Sequence, residues 1–242
     1  MAVMSSVSET TQNWADQRQI PIVFTLQTGS TNDDAKKAAL GESSDFVFYI
    51  TAHQTSGRGR GKNVWLDTGN GEGLLSTWSL FVDSPPQAIT APRIGLALFR
   101  AANAAWPSLE WSLKAPNDLH LNGHKVGGLL VESVSGGSNH RLLIGLGMNI
   151  LNHPRRFNEA EHLSKPLHAA PSEGEWFQFL DELRSEFTNA VPEILVANLT
   201  DSACSDLADA LNANSSRAFT VQTVTPQGDL IHNQGKVRWI DL

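Results

Sequence analysis

A single cysteine, Cys204, occurs in 242 residues, so no intrachain disulfide can staple the fold and no cysteine-rich zinc site can form. Its plain reading is a half-buried small residue. No apolar run approaches the roughly 20 residues that a bilayer-spanning helix requires, which predicts a soluble chain without membrane association. The first twenty residues, Met1 to Ile20, lack both the basic start and the apolar stretch of a secretory signal. The expected location is therefore cytoplasmic. Positive charge is also scarce: 18 Lys and Arg against 25 Asp and Glu leave a formal net charge of -7. That balance argues against indiscriminate nucleic-acid binding, while a local basic loop can still hold a phosphorylated ligand. No internal repeat or low-complexity tract breaks the chain.

What is present reads as a main domain with a small appendage. Ile22 to Leu26 predicts a short strand, and Ser30-Thr31-Asn32 then supplies cap side chains before an alanine- and lysine-rich helix ending near Gly41. Phe46 to Thr51 and Leu74 to Phe81 have strand composition. Pro92 fits the first turn of a helix carrying Ile94, Leu98, Ala101 and Ala105 at helical spacing. Asn122-Gly123, between Leu119-His120-Leu121 and Lys125-Val126, is a type I′ hairpin signal. Gly128 to Val134 and Leu142 to Ile150 predict an antiparallel pair. Trp176, Phe179, Leu180, Leu183 and Phe187 predict an amphipathic helix closing near Pro192. After residue 216 the pattern changes to short strands with turns at Pro226–Asp229 and Gln234-Gly235. These elements imply an α+β class: a mixed, largely antiparallel sheet with flanking helices and a small C-terminal β appendage. The corresponding divisions are a polar segment at 1–20, a main domain at 21–212 and the appendage at 217–242.

Two constellations carry chemistry. The first runs from Gln54 through Gly57-Arg58-Gly59-Arg60-Gly61 to Trp65. Glycine lets backbone approach a ligand, and guanidinium groups bind carboxylate or phosphate through paired donors. The second is Lys114-Ala115-Pro116-Asn117-Asp118, followed across the hairpin by Lys125-Val126-Gly127-Gly128-Leu129-Leu130-Val131-Glu132. A lysine beside glycines can meet anionic oxygen without obstruction, and Asp118 can help hold a metal-bound nucleotide. Taken singly, each has a plainer reading: an exposed basic loop, turn chemistry at Asn117-Asp118, a solvated charge at Lys125.

Taken in order, these motifs resemble the biotin protein ligase family over roughly residues 22 to 150. The resemblance rests on Ser30-Thr31-Asn32, Gln54, Gly57 to Arg60 with Trp65, Lys114 to Asp118, Lys125 to Glu132, and Gly145-Leu146-Gly147-Met148-Asn149. It implies a biotin/lipoate ligase-like core in which ATP activates biotin to biotinyl-5′-AMP. The biotin then passes to a lysine of a biotin carboxyl carrier protein or domain of a biotin-dependent carboxylase. By the same resemblance Arg58, Arg60 and Lys125 are the catalytic residues. Biotin would lie against Ser30, Thr31, Asn32, Gln54, Gly59 and Gly128 together with those three. The adenylate would meet Trp65, Asn117, Asp118 and Asn149 as well as Arg58, Arg60 and Lys125. Mg²⁺ is expected with the nucleotide, and Asp118 is the candidate partner for it.

Three departures stand out. Ala115 replaces the tryptophan usual in the lysine-proline motif, residues 67–73 form an expanded glycine turn, and the closing appendage is shorter than the family's usual C-terminal domain. Nothing before Pro21 resembles a helix-turn-helix, which implies a monofunctional form without specific DNA binding, and a homodimer stays open. Two rival functions remain at this point: a lipoate or octanoate ligase or transferase, and a catalytically degenerate biotin- or nucleotide-binding protein.

Overall fold

The computed structural model describes Met4 and residues 6–137, 139–154, 159–193, 197–214 and 219–242. Although the first twenty residues are polar in composition, they carry a helix, α1 (Val7–Gln17), capped by the Ser6 side chain accepting from Glu9 N–H. One face, Val7, Ser8, Thr11, Trp14 and Ala15, is buried. The chain continues through β1 (Ile22–Thr28), α2 (Thr31–Ala38), β2 (Phe46–Gln54) and β3 (Gly73–Val82). Next come α3 (Thr90–Ala105), β4 (Trp111–Lys114), β5 (Asp118–Leu121), β6 (His124–Gly136) and β7 (Asn139–Asn149). The helices α4 (Ser164–Leu167), α5 (Glu173–Glu193) and α6 (Asp201–Asn212) precede β8 (Val221–Val224), β9 (Leu230–His232) and β10 (Gly235–Val237).

Seven strands form one sheet in the order β1-β2-β3-β7-β6-β5-β4, with three more in a small second sheet. Among the described residues, only the β1–β2 pair of the large sheet is parallel. The expected α+β class with its C-terminal β appendage is therefore what the chain adopts. Asn122 and Gly123 take φ of 51° and 79°, the two positive values that a type I′ hairpin requires. Strand β6 is longer than its apolar run suggests, extending from this hairpin to Gly136, because β7 pairs with it along nearly its whole length. Residue 138, part of the turn expected between them, lies outside the described residues, as do 217 and 218 at the head of the appendage. Cys204 is 8% exposed on α6, more deeply buried than its composition-based reading.

Alternation along the strands gives the large sheet two apolar faces. Phe48, Ile50, Trp78 and Ile144 join the main core with residues of α1, α3 and α5. Trp78 lies at the centre of an aromatic cluster, its ring centroid 4.7 Å from Phe48, 5.4 Å from Phe187 and 6.1 Å from Trp14. The opposite face is smaller: Val47, Tyr49 and Leu143 pack with Ala35 of α2. Because α2 covers only part of that face, the glycine-rich ends of β6 and β7 are left to line a cavity.

Candidate active site

The arginine loop closes on itself as a miniature hairpin. Gly59 N–H donates to Asn63 O at 2.8 Å, Trp65 N–H donates to Gly57 O at 2.9 Å, and Arg58 bridges Val64. Two glycines have specific reasons to be there. A Cβ on Gly57 would stand 2.5 Å from Trp65 O, and Gly61 turns the loop at φ 65°. The buried Asp67 carboxylate anchors the return, accepting from Gln54 N–H at 2.9 Å and lying 2.8 Å from His53 Nδ1.

This loop roofs a cavity of about 120 Å³ on the α2 face of the sheet. Its floor is Gly128, Gly145 and Gly147, and at the last two the absence of a side chain is obligatory. A Cβ on Gly147 would collide with the Trp65 indole, and one on Gly145 would collide with Asn32 Oδ1. One wall is a polar network at the start of α2. Thr77 Oγ1 donates to Asn32 Oδ1 at 2.5 Å, Asn32 Nδ2 donates to Glu132 Oε2 at 3.0 Å, and Thr31 N–H donates to Gln54 Oε1 at 2.9 Å. Ser30 stands at the N-cap of α2 in extended backbone without a side-chain capping bond, and it lines the cavity.

Arg58 is held by two carboxylates, with Nη2 2.5 Å from Glu132 Oε2 and 2.9 Å from Asp33 Oδ1. Burial pushes the Glu132 carboxyl up, but the hydrogen bonds from Arg58 and Asn32, with the charges of Arg58 and Lys36, more than reverse this. Its net position is below the ordinary glutamate value, so Glu132 is an anion at neutral pH. The loop's second arginine, Arg60, also lines the cavity and donates from Nη2 to the carbonyl of Ile240.

The other wall is the hairpin. Lys125 Nζ lies 2.7 Å from Asp118 Oδ1 and 5.8 Å from the centroid of a Trp65 ring. Asn117 fixes β5 to β6, its Nδ2 donating to Leu129 O at 2.9 Å while its carbonyl accepts Leu129 N–H at 2.8 Å. Beyond Lys125 the space opens into a larger cavity of about 770 Å³, which shares Trp65, Asp118 and Lys125 with the first and adds Lys114, His120 and Asn149. His120 there is pushed below the ordinary histidine value by burial. The buried Nε1 of Trp65 and Nε of Arg58 have no hydrogen-bond partner among the described residues, leaving two donors for a ligand to satisfy.

The structure thus brings Ser30, Thr31, Asn32, Gln54, Arg58, Gly59, Arg60, Trp65, Asn117, Asp118, Lys125 and Gly128 around one cavity. Asn149 stands apart, lining the larger cavity with its Nδ2 donating to Glu161 O at 3.1 Å. Sequence reasoning passes over Thr77, Asp67 and the ion-pairing role of Glu132. Their partners lie 13 to 100 residues away, and no local pattern announces such pairs.

The result is an α+β protein whose ligand cavity sits on the glycine-floored, partly covered face of a mostly antiparallel sheet. Residues 26–149, half of the chain, match the biotin/lipoate A/B protein ligase family, and the chain belongs to that family. It is 37% identical over 142 residues to the biotin–[acetyl-CoA-carboxylase] ligase of Mycobacterium tuberculosis, covering 57% of this chain and 51% of that relative. It is 34% identical over 137 residues to the enzyme of the same name from Paracoccus denitrificans, covering 53% and 54%. The matches thus span about half the length of these curated relatives. Among solved structures, the biotin protein ligase of Aquifex aeolicus in complex with biotin and ATP superposes with a TM-score of 0.67 at 17% identity, over 90% of this chain and 94% of that one. The Leishmania major enzyme in complex with biotinyl-5-AMP gives 0.63 at 22%, over 89% and 96%. These two likenesses are of fold.

Proposed function

We propose that this chain is a biotin protein ligase that activates biotin with ATP and transfers it to a lysine of a biotin carboxyl carrier protein. The observation that carries the reading is the meeting of the arginine loop and the lysine hairpin over one glycine floor, at the junction of a small cavity and a larger one. The small cavity takes biotin, with Ser30, Thr31, Gln54 and the Asn32 network facing its polar ring. The larger one takes the nucleotide.

In the first half-reaction a biotin carboxylate oxygen attacks the α-phosphorus, the bond to the β-phosphate oxygen breaks, and pyrophosphate leaves with that electron pair. In the second, the acceptor lysine amine attacks the carbonyl carbon of the mixed anhydride, loses a proton and expels AMP. Lys125 stands at the cavity junction, where its ammonium offsets the charge on carboxylate and α-phosphate. Since Glu132 and Asp33 already engage the Arg58 fork, Arg58 chiefly fixes the loop, whereas Arg60 retains N–H donors for the ligand. Trp65 covers the adenylate and limits its hydrolysis. Magnesium commonly keeps several waters and takes one or two carboxylates plus phosphate oxygens. Asp118, at the mouth of the larger cavity, fits such a set and would share its charge between the metal and Lys125. The same reading carries a cytoplasmic enzyme without specific DNA binding.

Biotin-dependent exchange of labelled pyrophosphate into ATP by the purified chain tests the proposal. Exchange with biotin and Mg²⁺ is expected. Strong exchange with lipoate or octanoate and none with biotin would overturn it in favour of the related ligases, and no exchange with any acid would leave a binding protein.

A further inference from the structure

Next to the larger cavity but outside its lining, three metal-ligating side chains converge where the chain leaves β7 and returns beside Lys125. We infer that His153, Glu161 and His162 form a binding site for one borderline divalent transition metal of the Zn²⁺, Ni²⁺ or Co²⁺ kind. The two imidazole Nδ1 atoms are 2.9 Å apart. Glu161 Oε1 lies 3.3 Å from His162 Nδ1 and 3.9 Å from His153 Nδ1. Three lone-pair donors therefore surround one point, and two imidazoles sharing a single hydrogen bond leave that constellation with more acceptor capacity than protons to fill it. A 2.9 Å separation is also the chord that two ligands at about 2.1 Å from a common centre make at about 90°. That angle suits a five- or six-coordinate ion completed by water.

The frame around the cluster is rigid. Glu161 N–H donates to Lys125 O at 2.8 Å, Leu163 N–H donates to Asn149 O at 3.1 Å, and Asn149 Nδ2 holds Glu161 O. Glu161 is 7% exposed, so its carboxylate is presented at a fixed position. Lys165 bonds the other oxygen, Oε2, which orients the carboxylate to bind through Oε1 alone. The histidine side chains are 22% and 20% exposed, leaving an approach from solvent for the ion and its waters. Two imidazoles and one carboxylate favour nickel, cobalt, copper and zinc over magnesium and calcium, which require oxygen-rich shells. The site is therefore chemically distinct from any magnesium that accompanies the nucleotide.

Titration of untagged, chelator-stripped protein with Co²⁺, followed by visible d–d absorption, and with Zn²⁺ by calorimetry tests this in the absence of ATP. One saturable equivalent is expected, undiminished by millimolar Mg²⁺. His153→Ala and His162→Ala should each weaken binding at least about tenfold, as loss of a ligand must exceed the effect of losing its supporting partners. His168→Asn, at an exposed left-handed position with φ 58°, should bind as the wild type does. Absence of saturable binding to the wild-type protein would overturn the site, and so would undiminished binding by the His153→Ala, His162→Ala double variant.

Discussion

The charge at Lys125 is fixed by its surroundings: Asp118 holds the ammonium at 2.7 Å, and the bare α-carbon of Gly128 leaves it room. Removing it should slow biotin adenylation by about 10²–10³-fold, the range for losing one aligned electrostatic donor. Single-turnover formation of biotinyl-5′-AMP by Lys125→Ala measures this, and a folded variant with wild-type rate would exclude the role. Glu132 makes a different prediction. Its carboxyl is depressed in the folded chain, so it contributes stability above the unfolded value near 4.5. That contribution is lost as pH falls through the lower folded value. Glu132→Gln should then cost about 1–3 kcal/mol at pH 7, the penalty for weakening the pairing of a partly buried Arg58, towards the lower end because Arg58 is a third exposed and keeps Asp33 as a partner. The deficit should shrink below about pH 4.5 in urea unfolding series, whereas one that stays constant with pH would contradict the sign. Neither role of Glu132 is visible in the sequence. It ends the lysine-glycine motif as an ordinary strand residue, and its arginine partner is 74 positions away.

At the scale of elements, legibility followed locality. The Asn122-Gly123 hairpin, the Ser30 corner and the helix beginning near Pro92 are specified by neighbouring residues, and each forms where its signal lies. Helices α1 and α6 escape notice because the few large apolar residues on their buried faces, Val7 and Trp14 in one and Leu207 and Leu211 in the other, are interspersed with Ser8, Thr11, Ala15, Ala203, Cys204 and Ala210, small or polar residues that dilute the hydrophobic period and gain their burial from tertiary packing. The order of the loop and hairpin motifs was readable, while their convergence depends on β3 and β7 lying between β2 and β6. The arginine loop carries the prediction of this scale. Arg60 stands in the cavity roof and its guanidinium bonds the Ile240 carbonyl. Arg60→Gly removes a charge and that tether while adding backbone freedom. Biotin should still be activated, less efficiently, and the adenylate should escape and label nearby lysines without the cognate acceptor. Equal amounts of folded variant and wild type, compared for acceptor-independent biotinylation, provide the measurement. An intermediate retained as long as in the wild type would mean that Arg60 does not restrain it.

Across the whole molecule, the end of the chain is tied into a site whose residues all come from its first two-thirds. Trp239, in the 3-10 turn Trp239–Asp241, is 6% exposed and donates its indole N–H to Pro116 O at 2.8 Å. Its ring lies 3.7 Å from where a Cβ on Gly95 would stand, so it also packs on α3. The next residue accepts the bond from Arg60. A short appendage therefore braces both motifs: one indole reaches the carbonyl beside Ala115, the position where the family's usual tryptophan is missing, and Trp239 belongs to the main core against which Ala115 packs. Trp239→Ala should cost about 3–5 kcal/mol, as expected for a large buried aromatic. Trp239→Phe, which keeps most of the packing and loses the donor, should cost about 1 kcal/mol for the hydrogen bond, with a further increment for imperfect packing. If the brace positions Lys114 and Asp118 for the nucleotide, Trp239→Phe should also raise KM for ATP more than KM for biotin, because these two residues flank the Pro116 motif and line the larger cavity, whereas the polar network at Asn32 does not. Denaturant unfolding of the three proteins and pyrophosphate exchange at varied ATP and biotin separate the two effects. Equal changes in both KM values would reduce Trp239 to a packing residue, and wild-type stability in Trp239→Ala would show that the tail is not part of the cooperative fold.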